Sequence, residues 1–265
     1  MKHWIAIGFL SISFAASSQG NLGTLLVTGD AGIVSKESAH LQLQHFMQRL
    51  PGSKVSEEKL LRKTFHRLHS TFLKKFEAYS PLSAAFASGR YDCLTGTALF
   101  SLVLDQLKYS YDIVETNYHI FIIVHTSRGE VLLETTDRLT GFVTNAEEIA
   151  NRIAAYQKNQ PSIDNSKKFI YTYSFNLYQK ISPDKLTGLL YFNQAVKAYN
   201  NKDWVVSSKL LEKANMLYPS PRCEALGGIL IQTVLESSLK EKAKTECLVH
   251  LRNFWMKKSE TVASN

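Results

Sequence analysis

Three residue types that support nucleophilic acyl chemistry occur in this chain in the order cysteine, histidine, acid. Cys93 follows a loop and precedes an apolar stretch that predicts a helix to about Leu107. A thiol at a helix start meets unpaired backbone N–H groups and the positive end of the helix dipole, which favour the thiolate. His119 and two carboxylates follow on predicted strands. The parts of a Cys-His-acid nucleophilic site are therefore present in one region of the sequence.

A predicted β-hairpin carries the imidazole and the acid. One strand begins at His119, a polar turn occupies residues 126–129, and the returning strand leads to Glu134 and Asp137. Only one of these acids can share a face with His119, because side chains alternate along a strand. A two-residue turn at 127–128 or 128–129 would select Glu134, whereas a three-residue loop with a bulge at its glycine would select Asp137.

The elements around the hairpin predict an α+β fold in which helices pack on an antiparallel sheet. Helices are expected at residues 37–50, 57–78 and 144–156, and a strand at 109–115. Asp92 is expected to cap the helix of Cys93. The apolar residues of the second helix are interpreted as core, and they are Leu60, Leu61, Phe65, Leu68, Phe72 and Phe76.

Composition shifts along the chain predict five segments. An apolar run followed by small residues predicts a signal peptide at 1–18, and hence a secreted or periplasmic protein. The nucleophile-bearing core is expected over 19–160, and the turn-rich stretch 161–182 is interpreted as a linker. Residues 183–258 are predicted to be helical, and residues 259–265 to form a disordered tail.

The helical segment contains one pattern typical of a tetratricopeptide unit, in which small residues let two helices approach. The matching positions are Tyr191, Ala195, Trp204, Ser207, Leu211, Ala214 and Pro219. One unit cannot bury its own apolar face, so we expect it to pack on its neighbours or on the core.

The charge and the cysteines restrict the classes of partner. The formal net charge is +8, but the basic residues are scattered and no nucleic-acid motif accompanies them, which favours solvated helix faces over a nucleic-acid-binding surface. Beyond residue 18 no apolar run is long enough to span a bilayer. Cys223 and Cys247 could form a disulfide or remain two buried thiols, because the sequence does not determine connectivity.

The segments around the three chemical residues resemble the transglutaminase-like branch of the papain-type cysteine enzymes, in particular bacterial members with C-terminal helical repeats. The resemblance covers about residues 80–145. It depends on three segments: Asp92-Cys93-Leu94-Thr95-Gly96-Thr97-Ala98, Tyr118-His119-Ile120-Phe121, and Leu133-Glu134-Thr135-Thr136-Asp137-Arg138-Leu139-Thr140-Gly141-Phe142.

This resemblance implies a papain-like α+β core, cysteine acyl chemistry on amide bonds, and neither metal nor cofactor. Cys93 would be the nucleophile and His119 the general acid and base. Asp137 is the preferred acid, by the resemblance and because a short carboxylate at a strand end is easily held, with Glu134 as the alternative. The substrate would be a protein, a peptide or a cell-wall peptide. A non-catalytic scaffold that binds a protein partner through its helical region is the competing hypothesis.

Overall fold

The computed structural model of the protein describes residues 22–26, 34–51, 55–158 and 176–263, with side chains to residue 256. Within these ranges the chain is an α+β fold that contains a five-stranded antiparallel sheet, so the predicted class is confirmed.

Helices dominate the described ranges. Besides a helical turn at residues 22–26, they are α1 (Lys36–Gln48), α2 (Glu57–Thr71), α3 (Leu82–Ser88), α4 (Cys93–Leu107), α5 (Ala146–Gln157), α6 (Lys185–Asn200), α7 (Trp204–Leu217), α8 (Pro221–Glu236) and α9 (Glu241–Ala263).

The strands form two sheets. They are β1 (Lys75–Phe76), β2 (Arg90–Tyr91), β3 (Ser110–Thr116), β4 (Ile120–Thr126), β5 (Gly129–Leu133), β6 (Phe142–Val143) and β7 (Tyr178–Ile181). The short strands β1 and β2 pair in parallel. The main sheet has the order β6-β5-β4-β3-β7, and every neighbouring pair in it is antiparallel.

The central strand β4 is buried on both faces. Its residues Ile120 and Ile122 belong to the main core, where α4 and α2 pack. Phe121 and Ile123 point to the opposite face and pack against Ile149 of α5. An uninterrupted apolar run suits a strand that is covered on both sides. The sheet is therefore enclosed between the main helical layer and α5.

Helix α2 is shorter than the sequence predicts. It ends at Thr71 instead of continuing to residue 78, because the backbone N–H groups of Lys74 and Lys75 donate to the carbonyl of Gly89. The chain then enters the parallel pair of β1 and β2. Phe76, expected in the core, is 57% exposed there.

Two predicted segment boundaries differ from the structure. The predicted linker 161–182 lies outside the described residues up to residue 175, but its last part forms β7 and pairs with β3. The structure therefore assigns residues 178–181 to the sheet. The predicted disordered tail is helical as far as residue 263, because α9 continues to that point. The predicted signal peptide, residues 1–18, lies outside the described ranges.

The C-terminal helices share an apolar cluster of their own. Small residues allow α6 and α7 to approach, and Ser207 donates a hydrogen bond of 2.9 Å to the carbonyl of Ala195. Cys223 and Cys247 lie in this cluster as buried, free thiols, so the structure contains no bridge between them. In the described part of the chain, no helix is both long enough and apolar enough to cross a bilayer.

Candidate active site

Helix α4 places the thiol at its first turn. Asp92 is the N-cap, as predicted, and its Oδ1 accepts a 2.7 Å hydrogen bond from the backbone N–H of Thr95. Cys93 is the first helical residue, and it is partly exposed, whereas the residues that follow it in the first two turns are buried. The thiol therefore lies at the positive end of an apolar helix, on a residue that is only partly buried.

The imidazole of His119 lies between the thiol and a carboxylate. Its Nε2 forms a hydrogen bond with Glu134 Oε2, and the Cys93 side chain lies close enough to interact with the same ring. Because Nε2 is held by Glu134, Nδ1 is the ring nitrogen that is left for the thiol. The His119 side chain is 21% exposed and that of Glu134 only 6%, so the ring is reachable while the acid is enclosed.

The hairpin register explains why Glu134 is the acid. Thr126 pairs with Gly129, so the turn consists of two residues, Ser127 and Arg128. Cross-strand partners share a face, and continuing this register places Glu134 opposite Phe121, on the face of His119. This is the outcome that the sequence analysis linked to a two-residue turn.

Burial and partners change the protonation of the pair. Burial opposes the charge of the imidazole, but the interactions with Cys93 and Glu134 outweigh it and raise the pKa of His119 to about 10. Burial likewise opposes the carboxylate, but the hydrogen bond and charge of His119 and the hydrogen bonds from Thr136 lower the pKa of Glu134. The arrangement therefore favours imidazolium beside carboxylate, the form that stabilises a thiolate.

Asp137, the preferred acid of the sequence analysis, is not brought to His119. Its carboxylate accepts hydrogen bonds from the backbone N–H groups of Leu139 and Thr140, at 3.1 and 2.8 Å, and from the Thr140 hydroxyl. Arg152 lies 3.9 Å away. The side chain is 37% exposed, so Asp137 holds a surface turn, and the prediction that it completes the site does not match the structure.

A close approach between α4 and the turn after β5 fixes the distance from Cys93 to Glu134. The Thr135 hydroxyl donates to the carbonyl of Cys93 at 3.2 Å. A Cβ on Gly96 would lie 2.7 Å from Thr135 Oγ1, so only glycine lets the helix come this near. The buried His69 lies 2.9 Å from the carbonyl oxygens of both Phe65 and Thr135 and holds the same turn from α2.

Tyr156 joins the site from α5, although the sequence analysis gave it no functional role. Its hydroxyl donates to Glu134 Oε2 at 3.1 Å, and its ring centroid lies 5.0 Å from that of His119. Ile149, Ile153 and Tyr156 follow a helical spacing of four and three residues and pack on one face of the sheet. That spacing is the sequence signal that could have placed Tyr156 beside β4.

A second contribution to the site, besides that of Tyr156, comes from the C-terminal helices. Asn193 on α6 donates a 2.9 Å hydrogen bond to Asp92 Oδ2, and Gln194 donates to the carbonyl of Tyr79 at 3.0 Å. Burial raises the pKa of Asp92. The cap of the nucleophile helix is therefore held from a segment about a hundred residues away, which no local sequence pattern indicates.

Comparisons with known proteins add little to this geometry. The sequence matches no protein-family model and none of the curated proteins compared with it. Among solved structures, the chain is similar to menin, in a crystal structure described as revealing its binding site for the Mixed Lineage Leukemia (MLL) protein. The identity is 12% and the TM-score 0.37, over 92% of this chain and 62% of that chain. This similarity carries no inference here. Among the described residues, no group of three or more His, Cys, Asp or Glu side chains could hold a metal ion.

Proposed function

We propose that the protein is a transglutaminase-like cysteine enzyme with a papain-type core, which hydrolyses or transfers an amide acyl group. The observation that carries this proposal is the His119 ring, which is hydrogen-bonded to Glu134 and interacts with the Cys93 side chain. Three groups far apart in the sequence meet at one partly exposed point, in the order nucleophile, base and orienting acid.

Each residue has a defined step in the proposed reaction. The Cys93 thiolate attacks the amide carbonyl carbon, and the backbone N–H of Cys93 at the helix start stabilises the oxyanion. The C–N bond then breaks, the His119 imidazolium gives its proton to the leaving amine, and a thioester remains on Cys93. Water or a second amine attacks the thioester while His119 accepts its proton, which releases an acid or a new amide. Glu134 stays ionised and orients the ring.

The substrate class follows from the same proposal. The acyl donor would be a carboxamide in a protein, a peptide or a cell-wall peptide. The predicted signal peptide would place the reaction outside the cytoplasm, in the periplasm or the medium. The helical region, which holds Asp92 through Asn193, would support the core in this role.

Trapping of the acyl-enzyme tests the proposal. The full chain is incubated with glutamine-containing peptides, and its intact mass is measured after rapid acid quenching. We expect an adduct equal to the peptide acyl group, located on Cys93 and dischargeable by hydroxylamine. The Cys93→Ala variant should show no adduct. An adduct that persists in Cys93→Ala, or turnover unaffected by that change, would contradict the assignment of the nucleophile.

A binding scaffold is the second candidate, because the helical region exposes large apolar side chains. Met216 and Leu217 on α7 are 55% and 42% exposed. Under this alternative Cys93 would react as slowly as an ordinary thiol, and a protein partner would bind the Cys93→Ala variant as tightly as the wild type.

A further inference from the structure

Tyr156 lies in contact with both His119 and Glu134, and the proposed reaction gives it no step. Tyr156 contacts His119 through its ring and Glu134 through its hydroxyl. We propose that Tyr156 is a positioning residue for His119, acting through Glu134 and through ring contact. The role rests on the proposed Cys-His-acid function.

The phenol fixes the direction of the carboxylate. Glu134 Oε2 accepts from His119 Nε2 and from the Tyr156 hydroxyl, whereas Oε1 accepts from the backbone N–H and hydroxyl of Thr136 at 3.0 and 2.6 Å. Thr136 lies only two residues from Glu134, so these two bonds hold Oε1 in a local turn. Tyr156 is on a separate helix and anchors the oxygen that faces the imidazole.

The ring of Tyr156 limits the rotation of the imidazole. The centroids of Tyr156 and His119 are 5.0 Å apart at an interplanar angle of 46°, and Tyr156 also contacts the Phe121 ring at 4.8 Å. Phe121 is itself stacked against His119, at 6.1 Å and 20°. Aromatic neighbours on these sides oppose ring flips that would take Nδ1 away from the thiol.

The Tyr156 hydroxyl also competes with the imidazole of His119 for the negative charge on Glu134 Oε2. The titratable groups that interact with His119 are Cys93 from α4 and Glu134 from the turn after β5, and Tyr156 from α5 acts through Glu134. Arg152, which is also on α5, interacts with the phenol. A donor shared on Glu134 Oε2 reduces the charge that this oxygen offers to the imidazolium. Removal of the hydroxyl should therefore hold the proton on His119 more firmly.

Tyr156→Phe tests this role, because it removes the hydroxyl and keeps the ring. In the full chain, the His119 ring resonance is followed by NMR against pH and assigned with His119→Gln. We expect the pKa of His119 to rise by about half a unit, because Glu134 Oε2 then interacts with the imidazolium without a competing donor. A second variant, Tyr156→Leu, removes the ring too and should broaden or split the resonance.

Tyr111→Phe is the matched control. Its hydroxyl donates to Asp105 Oδ1 at 2.7 Å, so the same kind of bond is lost near the other end of α4. This control should leave the His119 titration unchanged. A titration that is the same in Tyr156→Phe as in the wild type would overturn the proposal. An equal shift in Tyr111→Phe would do so as well.

Failure of the proposed function gives a different result. Cys93 alkylation is measured on the same wild-type sample. If Cys93 reacts as an ordinary thiol at every pH while Tyr156→Phe still moves the His119 titration, the positioning of His119 stands and the acyl chemistry fails. If alkylation is fast near neutral pH but the titration is unmoved, the chemistry stands and the role of Tyr156 fails.

Discussion

At the scale of single residues, the site depends on which of the two acids after the tight turn, Glu134 or Asp137, reaches His119. Glu134 is 6% exposed and bonded to the imidazole, whereas Asp137 is 37% exposed and bonded to its own turn. An enclosed carboxylate acts on a neighbouring charge through a lower effective dielectric than an exposed one. Glu134 is therefore the residue whose removal should change His119.

Glu134→Gln should slow alkylation of Cys93 at pH 7 by about tenfold or more, because the loss of its charge lowers the pKa of His119 and with it the imidazolium–thiolate form. Iodoacetamide kinetics on the native protein give the rate. Cys223 and Cys247 do not interfere, since both are buried and burial raises the pKa of each thiol. Asp137→Asn is the control, and its rate should stay within about twofold of wild type. Equal rates in the two variants would contradict the assignment of the acid.

The raised pKa of His119 also predicts a pH dependence of stability. A group whose pKa rises from 6.5 to about 10 on folding stabilises the fold fully below pH 6.5 and loses that contribution as the pH rises towards 10. The wild type should therefore lose thermal stability over this window relative to His119→Gln, which lacks the group. Melting temperatures measured by circular dichroism from pH 6 to 10 provide the check. Parallel curves for the two proteins would contradict the raised pKa.

At the scale of elements, local patterns predicted the parts that depend on neighbouring residues. Helix α4 begins at Cys93 with Asp92 as its cap, and the β4–β5 hairpin forms where the strand-like segments and the turn residues between them indicated it. The hairpin loop length was left open, because the residues at 126–129 suit more than one turn. The resemblance to the transglutaminase-like enzymes then favoured Asp137, whereas the two-residue turn of the structure selects Glu134.

Long-range pairing explains what the sequence could not indicate. Strand β7 follows a turn-rich stretch and joins the sheet by pairing with β3, a partner more than sixty residues earlier. The end of α2 is likewise set by backbone bonds to Gly89. Neither the pairing of β7 nor the end of α2 has a local sequence signal, because in each case the hydrogen-bond partner lies in another part of the chain.

Gly96→Ala tests the close approach of α4 to the turn that carries Glu134. The new methyl group would press on Thr135, so we expect a loss of about 1–3 kcal/mol in unfolding free energy and slower Cys93 alkylation. Gly228 on α8 is the matched control, because a Cβ there meets nothing within 4 Å. Gly228→Ala should stabilise the helix by about 0.5–1 kcal/mol. Urea unfolding measures both, and a neutral or stabilising Gly96→Ala would contradict the proposed packing.

At the scale of the whole molecule, buried polar contacts join the sheet to the C-terminal helices. Arg222 Nε lies 3.0 Å from Glu115 Oε1, at the distance of an ion pair but without the angle of a hydrogen bond. Arg222 also donates to the carbonyl of Thr116, and the Tyr218 hydroxyl donates to Glu115 Oε2 at 2.6 Å. The C-terminal helical region is thus attached to the sheet by side-chain contacts at the end of β3.

Arg222→Met should destabilise the protein by about 3–5 kcal/mol, because it leaves the carboxylate of Glu115 buried without its cation. The double variant Glu115→Leu/Arg222→Met should recover much of the loss, since no charge then remains buried. Lys185→Met removes an exposed partner of Asp184 and should cost no more than about 0.5 kcal/mol. Denaturant unfolding distinguishes these cases. A loss in Arg222→Met as small as in Lys185→Met would show that the two regions are not joined through this pair.

The pH profile of Cys93 alkylation tests the central claim most directly, because it reports whether the thiol and the imidazole of His119 act as a pair. In the wild type we expect fast alkylation at pH 7, because the His119 imidazolium stabilises the attacking thiolate. In His119→Gln the rate near pH 7 should fall by about tenfold or more, and the profile should become that of a free thiol, centred near about 8.5. Identical profiles for the two proteins, both typical of a free thiol, would contradict the account.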